Sequence, residues 1–412
     1  MSCSNQVVRF ALSDAAGVTG FDVASKVEAG PIGLLVRGST TVTGVCTDYS
    51  GNIYVSDYQR HCIWKIDEGG RISTLAGLAG TSGNNDVAGI PQRVTCQNAR
   101  FNEPMGLCCD KSNRIYVADY SNHQIRVIDS GYVSVVAGSA GNAGFVDGYG
   151  SAARFNEPRD IAVDNSGILY VVEFANHSLR KITSNGTVIT LSGVRGAPAA
   201  GDAESNSILG NVLVSPTTAQ LNSPRGVAVD PQGNIYVMDS GNWKIKKITP
   251  NGYIYLHSGS GVEGHSLGTV PTTLGATPQQ FTCTYGLLQF CSIDKSGNLY
   301  VVSRQEGWTR LLKVNPNGVP AHIADFHNTA YVDCPIGVAV SPAQKLFVTF
   351  SDYETLMSSS SSSIDSSSSS SIDSSSSSSS SSIDSSSSSS SSESSSSSID
   401  SSSSSSSSGD RQ

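Results

Sequence analysis

Residues 221–261 read LNSPRGVAVDPQGNIYVMDSGNWKIKKITPNGYIYLHSGSG, four short apolar runs with a turn signal between each pair. GVAV (Gly226 to Val229) is closed by Asp230-Pro231-Gln232-Gly233-Asn234, and IYVM (Ile235 to Met238) by Asp239-Ser240-Gly241-Asn242. KIKKI (Lys244 to Ile248) runs into Pro250-Asn251-Gly252, and YIYL (Tyr253 to Leu256) ends at Gly259. Runs rich in Val, Ile and Tyr, bounded by Gly, Pro, Asn and Asp, predict strands of an antiparallel meander. GVAV and IYV are apolar without alternation, so both faces of those strands are expected to be buried. One such sheet cannot bury both faces alone; it needs copies of itself on either side.

The copies are present. With the Asp that ends the first strand as anchor, they fall at Asp48, Asp110, Asp164, Asp230 and Asp294, with Ser341 in the sixth place. Each precedes an aromatic residue in the second strand: Tyr54, Tyr116, Tyr170, Tyr236, Tyr300 and Phe347. Four strands per unit with recurring Gly and aromatic marks is the pattern of a β-propeller. Asn122-His123-Gln124-Ile125 and Asn176-His177-Ser178-Leu179 carry an Asn-His-x-Leu/Ile signature, and the connection from Gly144 to Pro158 reads GFVDGYGSAARFNEP. In these stretches the chain resembles the NHL-repeat propellers, and the resemblance covers nearly everything before residue 350. It implies the fold; the family includes ligand binders, RNA binders, scaffolds and some enzymes, so it does not imply one activity.

The expected architecture is all-β, a six-bladed β-propeller over residues 1–357. Five blades fall at about 43–80, 104–141, 158–196, 224–261 and 286–326. The sixth is composite. Ser4-Asn5-Gln6-Val7-Val8-Arg9-Phe10 aligns with the third-strand stretch Ser121 to Val127, whereas residues 335–350 supply two strands and stop. Pairing these ends, 335–350 with 5–24, is expected to close the ring and remove exposed sheet edges. Residues 21–36 are the candidate for the fourth strand of that blade. The opening MSCSNQVVRFALSDAAG lacks a basic start and an unbroken apolar core, so it does not read as a secretory signal, and no apolar run has the length of a membrane span.

Residues 358–412 form a Ser-rich low-complexity tail. Ser358 to Ser408 is serine apart from four Ile-Asp pairs and Glu393, which together carry five of the eight net negative charges. Such a segment buries too little apolar area to offset chain entropy, so a disordered tail is expected, either a modifiable stalk or an attachment arm. Nine cysteines without a C-x-x-C pair favour folding in a reducing compartment. Cys46, Cys108, Cys109 and Cys291 sit where other first strands have Ala or Val and read as small buried apolar residues, while a disulfide among Cys3, Cys62, Cys96, Cys283 and Cys334 stays open.

An antiparallel meander puts second-to-third turns and all interblade connections on one face, and the short Gly/Asn/Pro turns on the other. The long connections, 81–100, 197–220 and 262–280, all belong to the first face, where loops on a rigid scaffold carry function.

His61, His123 and His177 hold one place in three consecutive blades, with Trp243 in the fourth. Two strand spacings of about 4.8 Å beyond the channel separate such equivalents by roughly 12 Å or more. Zinc requires ligands at about 2 Å, so the three cannot share an ion. These histidines read as bonding their own loops. Asp57, Asp119, Glu173 and Asp239 end the second strands and read as acceptors for turn N–H groups. The third-strand bases Lys65, Arg126, Arg180, Lys181, Lys246, Lys247 and Lys313 read as solvated outer positions.

The most informative departure is at the channel mouth. First strands are expected to begin with Gly at Gly44, Gly106, Gly226, Gly286 and Gly337, whereas blade three has Asp160. Arg159 and Arg225 precede two of these positions. Arg159, Asp160, Arg225 and Trp243 are therefore the ligand candidates. Propeller hydrolases and lyases hold calcium or zinc at such a mouth through several acidic, Asn or His side chains, but here Asp160 alone stands at that depth. No cofactor and no metal is expected.

The leading reading is a non-catalytic recognition or structural propeller, displayed on a virion or cell surface and binding a protein or glycan through the long-loop face. The alternatives are a cytosolic protein–protein scaffold with a modifiable Ser tail, and a metal-dependent hydrolase or lyase at the channel mouth. The net charge of −8 argues against nucleic acid as the main partner.

Overall fold

The computed structural model describes residues 7–11, 42–84, 93–193, 220–264, 266–268, 283–305, 308–327 and 334–351. The Ser-rich tail, Cys3 and the stretch 21–36 lie outside them, as do most of the residues of the two longest connections.

The described chain is a β-propeller of short antiparallel sheets with almost no helix. Strand β1 is Val7–Ala11. The first blade holds β2 (Val42–Thr47), β3 (Ile53–Asp57), β4 (Cys62–Ile66) and β5 (Ile72–Ala76). The second holds β6 (Val94–Thr95), β7 (Pro104–Cys109), β8 (Ile115–Asp119), β9 (Gln124–Asp129) and β10 (Tyr132–Gly138). The third holds β11 (Gly148–Tyr149), β12 (Pro158–Val163), β13 (Leu169–Glu173), β14 (Ser178–Ile182) and β15 (Thr187–Ser192). The fourth is β16 (Gly226–Val229), β17 (Ile235–Asp239), β18 (Lys244–Ile248) and β19 (Ile254–Ser258). The fifth is β20 (Leu287–Ile293), β21 (Leu299–Gln305), β22 (Trp308–Val314) and β23 (Pro320–His327). Last come β24 (Cys334–Val340) and β25 (Lys345–Ser351).

Five blades are complete. The expectation of six is corrected: the sheet at the chain ends has three strands in the order β1-β25-β24, and its proposed fourth strand lies outside the described residues. Within that sheet β1 pairs antiparallel with β25, Val7 opposite Thr349 and Ala11 opposite Lys345. Innermost β24 lies beside both β2 and β20.

Each anchor Asp organises its turn. Asp48 Oδ1 accepts the N–H groups of Ser50 and Asn52, while Oδ2 accepts from Asn52 Nδ2 and, at 2.8 Å, from Tyr54 Oη. The same set recurs at Asp230 with Gln232, Asn234 and Tyr236, and at Asp294 with Ser296, Asn298 and Tyr300. A short acceptor side chain closing its own turn is the Asx turn. The recurring Asp and Tyr are thus two ends of one hydrogen-bonded unit.

Neighbouring blades pack through buried apolar clusters that cross each seam. Phe101, for example, joins Ile63 of the first blade to Ile115 and Val133 of the second. Every complete blade also has a bulge in its fourth strand, at Leu75, Val136, Leu191, His257 and Ile323. In the first four blades the residue two positions on is glycine, required by close approach: at Gly138, with φ +96, a Cβ would lie 2.6 Å from the carbonyl of His123, whereas the fifth blade has Asp325 there.

The third-strand bases divide into two sets. Lys65, Lys247 and Lys313 stay partly exposed, with Nζ over the rings of Tyr54, Tyr236 and Tyr300. Arg126, Arg180 and Lys246 are the opposite of solvated, at 0, 0 and 1 % exposure. They pair with Asp119 (3.0 Å), Glu173 (2.9 Å) and Asp239 (3.0 Å). Side chains alternate between sheet faces, so adjacent positions of one strand meet different surroundings. The apolar seam also shelters the arginine stems, with the Arg126 guanidinium over Phe101 and that of Arg180 over Phe145 and Phe155.

Seven described cysteines, Cys46, Cys62, Cys96, Cys108, Cys109, Cys283 and Cys291, are free thiols. Cys46 and Cys291 are buried as expected, whereas Cys108 and Cys109 are only partly so. Among the described residues no helix is long and apolar enough to cross a membrane.

Candidate functional site

The repeat signature ties blades together at the long-loop face. His61, His123 and His177 each adopt a left-handed conformation, with φ 55, 55 and 52. Their Nδ1 atoms accept the backbone N–H of Glu103, Glu157 and Ser223, the residue before Pro in the next blade's entry loop, at 3.0, 3.2 and 2.9 Å. Burial lowers the pKa of all three, consistent with neutral acceptors. They therefore bond the neighbouring blade and not, as expected from sequence, their own loop.

The acids act on the same entry loops. Asp119, Glu173 and Asp239 accept the N–H of Asn102, Asn156 and Asn222 at 2.8, 2.8 and 2.6 Å, and also bond Asn122, Asn176 and Asn242. Asp57 differs, taking Arg60 N–H and the Trp64 indole N–H. Burial pushes Asp119 up to about 6 against the pull of Arg126.

Ligand candidates remain where the repeat is broken. Counting from the anchors gives two sets of positions at this end of the inner strands: the fifth residue before each anchor (Thr43, Met105, Arg159, Arg225, Gln289, Ile336) and the tenth after it (Tyr58, Tyr120, Phe174, Ser240, Arg304, Ser351). Pairing register also corrects the glycine series. Cys291 faces Val301 as Val45 faces Val55, so Phe290 stands at the glycine level and Gly286 lies outside that strand's register. Phe290 packs with Tyr58, Met105 and Ile336 from other blades, and Tyr120 lies against them. Residues from opposite sides thus close the channel at this level.

Below that plug the channel is a cavity of about 290 Å³, lined by β2, β7, β12, β16, β20 and β24 and reaching the short turns at Tyr49, Asn165, Pro231 and Lys295. This cavity therefore lies toward the short-turn face, opposite the one the loop lengths point to. Its walls are strand edges and small side chains. Burial pushes the thiols of Cys46, Cys108 and Cys291 far above their ordinary value, which leaves them poor nucleophiles.

Asp160 forms part of that wall. Its Oδ1 accepts Ile161 N–H and its Oδ2 accepts Val227 N–H from the next blade, both at 2.9 Å. Burial pushes its carboxyl up to about 8, opposed by these two donors and by Arg159. A Cβ at Gly106 would come 2.6 Å from the Asp160 Cα, so Gly106 makes room for it. With both oxygens engaged, Asp160 joins blades three and four.

Arg159 and Arg225 converge. Their guanidinium carbons lie 5.5 and 5.2 Å from the centroid of Phe174, and Arg159 also lies 5.9 Å from Phe290. A guanidinium placed over a ring face is held there by attraction to the ring. Arg225 Nη1 reaches Gln289 Oε1 at 3.5 Å, and the adjacent Glu157 is taken by Tyr120 Oη at 2.7 Å. Trp243 is placed apart from this pair, at the fourth-to-fifth blade joint. It is in the left-handed conformation of the histidines (φ 51) but has no acceptor nitrogen to offer. Phe174 and Phe290 were missed from sequence, although counting from the anchor Asp finds both. Among the described residues, no three His, Cys, Asp or Glu side chains gather as a metal site.

The NHL repeat family matches residues 101–128, 155–182 and 221–248, three successive copies of the stretch from entry loop to third strand. Teneurin-3 of Danio rerio is 29% identical over 224 residues, 50% of this chain and 8% of that protein. NHL repeat-containing protein 2 of Gallus gallus is 40% identical over 78 residues, 19% of this chain and 10% of that one. This chain thus spans about a tenth or less of the length of these curated relatives. Among solved structures, a gluconolactonase of Xanthomonas campestris aligns with a TM-score of 0.47 at 14% identity, over 76% of this chain and 86% of that one. Virginiamycin B lyase of Staphylococcus aureus aligns with a TM-score of 0.44 at 13% identity, over 77% and 82%.

Proposed function

Because this chain is an NHL-repeat β-propeller, we propose that it works as a non-catalytic recognition module that engages a protein partner through its long-loop face. The observation that carries this reading is the division of labour at that face. Residues repeated from blade to blade are engaged in fixing entry loops and seams: His61, His123, His177, Asp119, Glu173 and Asp239 all have internal partners. Arg159, Arg225 and Trp243 depart from their counterparts in most other blades and are partly exposed there, the two arginines over Phe174. Arginine and aromatic side chains dominate recognition energy when held rigid, and a propeller rim holds them on a stiff frame. Display through the Ser-rich segment 358–408 is part of the same proposal and rests on its composition.

Capture from candidate surface fractions tests it. Arg225→Ala or Trp243→Ala should weaken binding by about 1–3 kcal/mol, with the melting temperature little changed. Tyr49→Ala alters an exposed aromatic side chain of the short-turn face (57 %) and should leave capture intact. The opposite result, with Tyr49→Ala losing the partner and the two rim variants keeping it, removes the long-loop face from consideration.

A further inference from the structure

We infer that Arg159 and Arg225, stacked on Phe174 at the long-loop mouth, form a receptor for a single carboxylate carried by the protein partner, an acidic side chain or a free chain terminus. The inference rests on the reading that this face engages a partner, and it names the chemistry recognised.

Three observations lead to it. The Nε of Arg159 is buried without a hydrogen-bond partner, and whereas the seam arginines Arg126 and Arg180 pair through Nη with Asp119 and Glu173, Arg159 has no carboxylate partner among the described residues. A buried donor left unmade costs free energy, more so on a charged group, and calls for an acceptor. Second, the nearest fixed acids are already engaged. Asp160 holds two backbone N–H groups, and Glu157 accepts the Tyr120 hydroxyl. Burial consequently lowers the pKa of Arg159, with Tyr120, Tyr58, Asp160 and Glu157 only partly opposing it. Third, the two guanidinium groups come from adjacent blades onto one ring, so they are brought together before any ligand arrives. A planar carboxylate matches the fork of a guanidinium with two parallel hydrogen bonds.

The surroundings select one charge over many. Glu103 and Glu157 stand on the flanking entry loops, and the chain carries a net charge of −8. A polyphosphate strand laid across the mouth would meet both acids, whereas one carboxylate entering between Arg159 and Arg225 need not. Phe174 and Tyr120, both partly exposed, supply the apolar surface that a peptide side chain or terminal residue requires, over the buried Phe290 and Tyr58.

The test uses the full chain with three probes at matched ionic strength: N-acetylglycine, its amide, and inorganic phosphate. N-acetylglycine should raise the melting temperature and bind measurably by calorimetry, and the amide should do neither. Arg159→Gln should weaken N-acetylglycine binding by about tenfold or more, the loss of one charge-assisted pair. If Arg159→Gln does not fold, Arg159→Lys, which keeps the charge without the planar fork, and Arg225→Gln decide the matter by the same criterion. Equal response to the amide, response to phosphate alone, no response to N-acetylglycine, or undiminished binding in the variants each overturns the inference. Failure of the two readings is separable. Partner capture lost in Trp243→Ala without any N-acetylglycine binding removes the carboxylate receptor and keeps the face. N-acetylglycine binding lost in Arg159→Gln, with partner capture indifferent to every rim variant, does the reverse.

Discussion

His257 shows how far one position can depart from its repeat. The bulge residue of the fourth strand is Leu75, Val136, Leu191 and Ile323 in the other complete blades, and only here is it titratable. It is buried edge-on against Tyr236, ring centroids 5.0 Å apart, and its Nε2 has no hydrogen-bond partner. Burial, with Lys247 adding and Asp230 opposing, lowers its pKa to about 4. Between an unfolded value of about 6.5 and that folded value, the unfolded chain binds a proton that the native state refuses. Stability should therefore fall as pH drops through this window, by up to about 3 kcal/mol from this group alone. Urea titrations at neutral and mildly acidic pH should show that His257→Leu flattens this dependence. Identical pH profiles for the two proteins would mean that His257 is not what titrates.

At the scale of the element, the joint between blades is one hydrogen bond repeated, the imidazole Nδ1 receiving the N–H that precedes a proline. The left-handed conformation of these residues aims the ring across the seam, and Asn is the side chain that tolerates that conformation best after Gly. His123→Asn thus keeps the backbone and shortens the acceptor away from Glu157. Leaving that N–H unmade should cost about 1–2 kcal/mol, read as a lower urea midpoint. His123→Asn and His177→Asn should add nearly independently because they serve different seams. A null effect at His123 would assign the joint to the apolar seam alone.

For the whole molecule, the pairing of β1 with β25 carries the largest consequence. These strands lie 334 or more residues apart in the chain yet share a five-residue register. If that pairing closes the propeller, deleting residues 1–15 bares the β25 edge, with its unpaired backbone groups. The melting temperature should then drop sharply, while deletion of 358–412 should leave it in place. Equal tolerance of both deletions would show that β1 adds nothing to closure.

Local chemistry is what the sequence carries on its face. Asp230, Asn234 and Tyr236 sit within seven residues, so turn, strand and their shared hydrogen bonds were readable as a repeat, and five complete blades followed from its copies. Distance hides the rest. Arg126 and Lys65 hold adjacent repeat positions on opposite faces of the sheet, but the seam that buries the first exists only after two blades pack. His123 was readable as a repeat mark, and its partner Glu157, 34 residues on, was not. Phe290 likewise becomes a plug only because residues of other blades meet it on the axis. Tertiary structure alone placed the cavity toward the short turns and brought Arg159 and Arg225 onto one ring. Those outcomes depend on side chains meeting across seams, and sequence spacing does not encode that meeting.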